Sequence, residues 1–355
     1  MLKFTYFICI VFWTVLTMEA QDNITHFETR ADSIISGYFE TGHFNGSVLI
    51  ALQGEKIYQK AWGYSDLDKE TALDSRSQYY IASVSKIFTA SAVILLETQG
   101  RLSVYDRVTK YLPELPACFH TVRIHHLLSH TAGIPTESWD WRDKVNSDNS
   151  IVMEFLMKQE ELEFEPGTKY SYSNNGYVLL AMVVERASGK AFDAFMKQYL
   201  FDVAGMDHSF VGTRNMDIDV SHVIKSYVNG SQADWPLYIT GPSGIYTTTN
   251  DLFLWDQAFF GNEFFNKSKV KEILAPVQIK GKDQFYGRLG WGILNINGES
   301  YAGHMGGMFG FRTLYEHRID QNATLIIFTS IGDLTPIMEI RNKLTELMAM
   351  YQHGN

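Results

Sequence analysis

The chain has 355 residues, 45% hydrophobic and 14% aromatic, so it can bury a large core and is neither a disordered nor a repeat protein. One large domain or two interleaved ones fit. A net charge of -10, with no basic run, phosphate loop or zinc spacing, excludes nucleic acid and leaves a small-molecule or peptide substrate as the expected partner.

In chain order, Lys3 precedes an apolar run from Phe4 to Met18, which ends in Glu19-Ala20 before polar Gln21-Asp22-Asn23. That is the layout of a secretory signal peptide, and the run is short for a membrane span. A signal over residues 1–20 predicts a secreted or periplasmic protein without stable membrane insertion. Met18 stands where a small residue is usual, so an uncleaved N-terminal anchor is the alternative. Cys9 would leave with the signal, and Cys118 alone cannot form an internal disulfide. Asn23, Asn45, Asn229, Asn266 and Asn322 each begin a glycosylation sequon, most of which chance explains. The stretches Gly46 to Leu52 and Ile57 to Gly63 are β-rich runs around Gln53-Gly54-Glu55-Lys56, which predicts an antiparallel hairpin.

Ser83-Val84-Ser85-Lys86 follows Tyr79-Tyr80-Ile81-Ala82 and precedes an apolar run, Ile87 to Leu96, long enough for a buried helix that stops near Gly100. On a helix, residues three apart share a face, so the Lys86 amine can reach the Ser83 hydroxyl, and the helix N-terminus favours negative charge. This is the arrangement of a nucleophile beside its own base. The same spacing at Ser268 and Lys271 has no apolar helix behind it and reads as a charged helix start. Taken alone, Ser83 could also be a capping serine with a solvated lysine.

From Ser83 to about Asp283 the pattern is mainly helical, including Asn175 to Ala187 and Phe192 to Leu200, with a polar loop from Pro135 to Asn149. Tyr172-Ser173-Asn174 follows Glu165-Pro166-Gly167, and in extended chain its phenol and amide would face one side. Tyr227-Val228-Asn229 repeats the spacing but reads as a polar turn. Strand signals return at Gly290 to Ile296, Arg312 to Tyr315 and Ala323 to Thr329, before a last helix from about Pro336 to Met350. Between them lies His304-Met305-Gly306-Gly307, whose imidazole and glycine would face one side of an extended segment. Glycine there would let a substrate backbone pair with the strand edge. A surface histidine in a glycine turn is the other reading. Strands at both ends can build one sheet, with the helical middle inserted on it and a cleft between the lobes. The expected division is 21–95 and 285–355 for the sheet lobe and 96–284 for the helical lobe. Trp139-Asp140-Trp141 is expected to pack on its own lobe rather than rim the cleft, and Glu165 to be solvated. His125, His126 and His130 do not form a metal set, and neither metal nor organic cofactor is implied.

Taken jointly, Ser83-Val84-Ser85-Lys86, Tyr172-Ser173-Asn174 and His304-Met305-Gly306 resemble the motifs of the serine β-lactamase and penicillin-binding protein superfamily, in its class C and DD-peptidase branch. Leu127 to Ile134, Phe164 to Gly167, Gly244 to Thr248 and Leu289 to Gly292 resemble that branch too. The resemblance spans about residues 30 to 350 and implies an α/β (α+β) fold, an antiparallel sheet flanked by helices with an inserted all-helical region. It further implies Ser83 as acylated nucleophile, Lys86 as its activator, Tyr172 as general acid and base, and Asn174, His304 and Gly306 at the substrate. The backbone N–H groups of Ser83 and Gly307 would form the oxyanion hole. Histidine replaces the lysine of the Lys-Thr-Gly triplet found in many β-lactamases, which puts penicillin hydrolysis in doubt because imidazole charge is weaker and pH-dependent. The expected function is a secreted serine hydrolase acting on an amide or ester. A β-lactamase is the alternative, and a penicillin-binding sensor or scaffold with vestigial catalysis is an alternative of another class.

Overall fold

A computed structural model of the chain describes residues 23–135, 147–214, 216, 219–233, 238–279, 282–287, 289–296 and 298–354. The expected signal peptide, Cys9 within it and Trp139-Asp140-Trp141 lie outside the described residues. Helix α1 covers residues 23–40. It leads into β1 (Gly46–Leu52) and β2 (Glu55–Trp62), joined as the expected antiparallel hairpin. Gln53 and Gly54 make its turn with φ of 53° and 82°, the paired positive values that match the twist of the flanking strands. A 3-10 turn over Ala82–Val84 then runs into α2 (Ser85–Thr98), followed by α3 (Asn174–Ser188) and α4 (Thr249–Phe260). The remaining main elements are β3 (Pro276–Ile279), β4 (Lys282–Gly287), β5 (Gly292–Ile296), β6 (Glu299–Met308), β7 (Phe311–Arg318), β8 (Ala323–Thr329) and α5 (Thr335–Gly354).

One eight-stranded antiparallel sheet has the order β3-β4-β5-β6-β7-β8-β1-β2. Strands from the two ends of the chain meet where β1 lies on β8, from Gly46 opposite Thr329 to Ala51 opposite Thr324. Alternation sends Val48, Ile50, Leu325 and Ile327 into a core with Phe27, Ile35, Ile340 and Leu344 of α1 and α5. It sends Leu49, Ala51, Ile326 and Phe328 into a larger core with Phe88 of α2, Leu179 of α3 and Trp255 of α4. Both faces are covered, so β1 and β8 are buried at every position. Each large aliphatic or aromatic side chain buried this way stabilises the fold by about 1.5–3 kcal/mol.

The middle of the chain is less helical than its pattern suggested. Tyr79–Tyr80, Ile245–Thr247 and Phe210–Val211 form a three-stranded sheet, and Tyr227–Val228 pairs with Ser231–Gln232. The main sheet also takes strands from Pro276 onward, within the stretch read as helical. Strands β3 and β4, with polar residues at Gln278, Lys282 and Asp283, pair antiparallel with each other. No described helix is long and apolar enough to cross a membrane.

Candidate active site

Ser83 lies in the 3-10 turn, so the α-helix begins two residues after it rather than at it. Ala82 before it is buried with a φ of 46°, a left-handed conformation that disfavours any residue with a Cβ. Its neighbours hold it there: the Ile81 N–H donates to the Ile245 carbonyl at 3.0 Å, and the Thr313 hydroxyl donates to the Ile81 carbonyl at 3.0 Å. The turn thereby leaves Ser83 partly exposed at the start of a helix that is buried from Ser85 to Ile94.

Lys86, one turn on, has no exposed surface. Its Nζ lies 3.2 Å from Ser83 Oγ, 2.7 Å from Asn174 Oδ1 and 3.0 Å from the Pro242 carbonyl. Burial alone pushes its amine well below the ordinary lysine range. The three partners suit either protonation state. An ammonium can donate to all three, whereas a neutral amine donates to the amide and the carbonyl and turns its lone pair to the serine hydroxyl.

The Tyr172 hydroxyl donates to Ser83 Oγ at 3.1 Å, from the side opposite in sequence. Ser173 caps α3 by accepting the Gly176 N–H at 3.1 Å, so Tyr172 ends the extended segment and Asn174 begins the helix. The phenol and the amide do converge on one site, as their spacing suggests. The segment before them is strapped down by backbone bonds from Glu163, Gly167 and Ser171 N–H groups to the carbonyls of Gly133, Thr131 and His130, each 2.8 Å. Gly133, with φ of 68°, permits that approach, since a Cβ there would lie 2.2 Å from the Phe164 carbonyl oxygen. Glu165 is exposed, as read.

His304 sits within strand β6, not in a glycine turn. Pairing with β5 covers only Glu299 to Gly303, while pairing with β7 continues to Met308, so one edge of residues 304–308 lies outside the described ladder. Gly306 is required by packing. A Cβ there would lie 2.3 Å from the Ile81 carbonyl oxygen, 2.4 Å from Thr313 Oγ1 and 3.1 Å from the Ser83 backbone nitrogen. Gly306 therefore lets the strand close on the turn that carries Ser83. The His304 ring centroid is 6.4 Å from that of Tyr172. Burial first, and the nearby Lys86 second, push its imidazole far below the ordinary histidine range.

The look-alike stretches stay apart. Asn229 and Gly230, with φ of 52° and 76°, turn a hairpin after Tyr227, and Ser268 and Lys271 are exposed on a short helix, Lys267–Ile273. His125 and His126 bond to backbone, through the Val104 carbonyl and the Arg123 N–H. Sequence reasoning missed Pro242, which contributes only its carbonyl, and weighed His130 only as a metal ligand. His130 is instead 1% exposed and stacked on Tyr172.

Residues 31–349 match the model of the family described as Beta-lactamase. The chain belongs to the beta-lactamase family. It is 32% identical over 314 residues to a penicillin-binding protein of Bacillus subtilis (strain 168), covering 82% of this chain and 69% of that one. The structure of a penicillin binding protein from Bacillus halodurans superposes with a TM-score of 0.76 at 22% identity, over 92% of this beta-lactamase family member and 99% of that chain. A D-amino acid amidase from Ochrobactrum anthropi SV3 gives 0.76 at 19% identity over the same shares. The fold is the β-lactamase/transpeptidase-like fold.

Proposed function

We propose that this protein is a secreted serine hydrolase that opens amides or esters of D-amino-acid type through an acyl-enzyme on Ser83. The observation that carries this reading is a single one: Ser83 Oγ lies within hydrogen-bond reach of both a buried Lys86 amine and the Tyr172 hydroxyl. Neutral Lys86 takes the Ser83 proton as Oγ bonds to the substrate carbonyl carbon, and the backbone N–H groups of Ser83 and Gly307 receive the oxyanion. The leaving nitrogen or oxygen departs with the Tyr172 proton, which the Lys86 ammonium replaces. Water then attacks the acyl group through the same groups in reverse and frees Ser83. A positioned acid or base contributes on the order of a hundred- to ten-thousandfold, and one oxyanion donor about a hundred- to thousandfold. The names of similar proteins, a penicillin-binding protein and a D-amino acid amidase, support an acyl donor of this type. His304, where many β-lactamases have lysine, and whose imidazole is pushed below the ordinary histidine range, holds a substrate carboxylate less firmly, which favours amides and esters over penicillins.

Intact mass recorded over time with benzylpenicillin, p-nitrophenyl acetate and D-phenylalanine amide tests the reading, with Ser83→Ala alongside. Turnover or an adduct that disappears in Ser83→Ala is expected, with loss of at least about a hundredfold in rate. Equal activity in Ser83→Ala overturns it. A persistent penicillin adduct without turnover of any of the three would favour the sensor reading, and rapid penicillin hydrolysis the β-lactamase one.

A further inference from the structure

The segment Leu128 to Gly133 meets the site through the His130 side chain. His130 is 1% exposed, and its ring lies parallel to that of Tyr172, with centroids 4.5 Å apart and planes at 27°. Its other face meets Tyr177, at 5.0 Å and 31°. Tyr177 is itself fixed, for its hydroxyl donates to the Leu128 carbonyl at 3.0 Å. The Ser173 backbone N–H donates to His130 Nδ1 at 3.0 Å. An amide N–H can only donate, so Nδ1 is the unprotonated nitrogen and the proton of the neutral ring is on Nε2. The backbone of His130 takes φ of 56°, and its carbonyl accepts the Ser171 N–H at 2.8 Å. One residue thus holds the chain on both sides of Tyr172, at Ser171 and Ser173, and covers the phenol ring between them.

We propose that His130 is the positioning residue for Tyr172: its uncharged imidazole, clamped between Tyr172 and Tyr177 and bonded to Ser173, fixes the Tyr172 hydroxyl on Ser83 Oγ. It acts through Tyr172. Burial keeps the ring uncharged, which the bond from Ser173 requires. A cation in that place would face both Lys86 and an amide hydrogen.

The inference rests on the acyl-transfer reading of Ser83, so wild type and Ser83→Ala are first compared for p-nitrophenyl acetate turnover or, where turnover is slow, for the rate of Ser83 labelling by a fluorophosphonate. A signal that survives in Ser83→Ala ends that reading without bearing on His130. With a Ser83-dependent signal in hand, His130→Phe, Tyr172→Phe and the double variant are measured. His130→Phe keeps a ring but loses the acceptor for Ser173. It is expected to lower the saturating rate by about ten- to a hundredfold, the effect of misplacing a catalytic group by about 1 Å, with the half-saturating concentration unchanged. In the Tyr172→Phe background the same change is expected to alter the rate by less than about threefold, because the group it positions is already gone. The same loss in both backgrounds, or a folded His130→Phe at the wild-type rate, overturns the proposal. His130→Asn, which keeps an acceptor at the Nδ1 position, covers the case in which the phenylalanine variant does not fold. A rate between those of wild type and Tyr172→Phe is expected for it, and either a wild-type rate or a loss that persists undiminished on top of Tyr172→Phe overturns the proposal.

Discussion

Two stretches of this chain place a lysine three residues after a serine, and their surroundings set them apart. Ser268 and Lys271 lie exposed on a short helix capped by Asn266, whose side chain accepts the Lys269 N–H at 2.9 Å. Water solvates such an amine. Lys86 is buried with an amide oxygen, a carbonyl and a hydroxyl as its partners. Dipoles stabilise an ammonium less than water or a carboxylate does, so burial pushes the amine well below the ordinary lysine range. Spacing brings two groups within reach, and desolvation without a counter-ion is what distinguishes one pair from the other.

The largest test of this contrast is at Lys86. Lys86→Met removes the base with little change of volume and is expected to lower the Ser83-dependent rate by about a hundred- to ten-thousandfold. In wild type the rate should fall as pH drops through the depressed Lys86 value, because protonation removes the base, and the variant should lose that limb. Stability gives an independent readout. The folded amine has a lower pKa than the unfolded one, so between those two values the unfolded chain binds more protons and stability rises with pH, by at most about 1.4 kcal/mol per unit. Urea unfolding across that window should show wild type gaining stability on Lys86→Met as pH rises. A difference that stays constant with pH would mean that Lys86 keeps its proton when folded.

A middle-sized effect is expected at Gly306, whose contacts have no counterpart around Ser268. The atoms a Cβ would strike, the Ile81 carbonyl at 2.3 Å and the Ser83 nitrogen at 3.1 Å, are backbone of the turn itself. Gly306→Ala is therefore expected to destabilise the protein by about 1–3 kcal/mol and to move Ser83 away from Lys86 and Tyr172. Thermal unfolding and the Ser83 labelling rate read the two consequences, and a variant unchanged in both would show that the strand does not press on the turn.

What could be read from the residues follows how each part is held together. Strand β8 was legible to its ends, Ala323 to Thr329, because it is apolar toward both cores. Strand β6 was not, because Gly303, Gly306 and Gly307 resemble a turn. At Gly303 a Cβ would lie 2.0 Å from the Tyr315 carbonyl oxygen, so close packing, not chain reversal, requires it. Helix α1 received no assignment although Phe27, Ala31 and Ile35 repeat every four residues and are buried. At the site, Ser83, Lys86, Tyr172 and Asn174 were legible because their chemistry is in their side chains. The Pro242 carbonyl was not, since any residue offers a backbone acceptor, and the bond from Ser173 to His130 joins residues whose proximity only the fold creates.

The smallest expected effect completes the comparison. Ser268→Ala removes a hydroxyl that is exposed and precedes no buried helix, and the cap on that helix belongs to Asn266. Lys271 is likewise exposed, and among the described residues the ion pairs of that helix are those of Lys269, with Glu97 at 3.4 Å and Glu272 at 2.9 Å. The double change Ser268→Ala with Lys271→Ala should therefore shift stability by no more than about 0.5 kcal/mol and leave the rate of Ser83 labelling as in wild type. Thermal unfolding and a labelling time course would check it. A loss of labelling in this variant would mean that the spacing itself, independent of burial, contributes to the reaction, and the contrast between the two stretches would no longer hold.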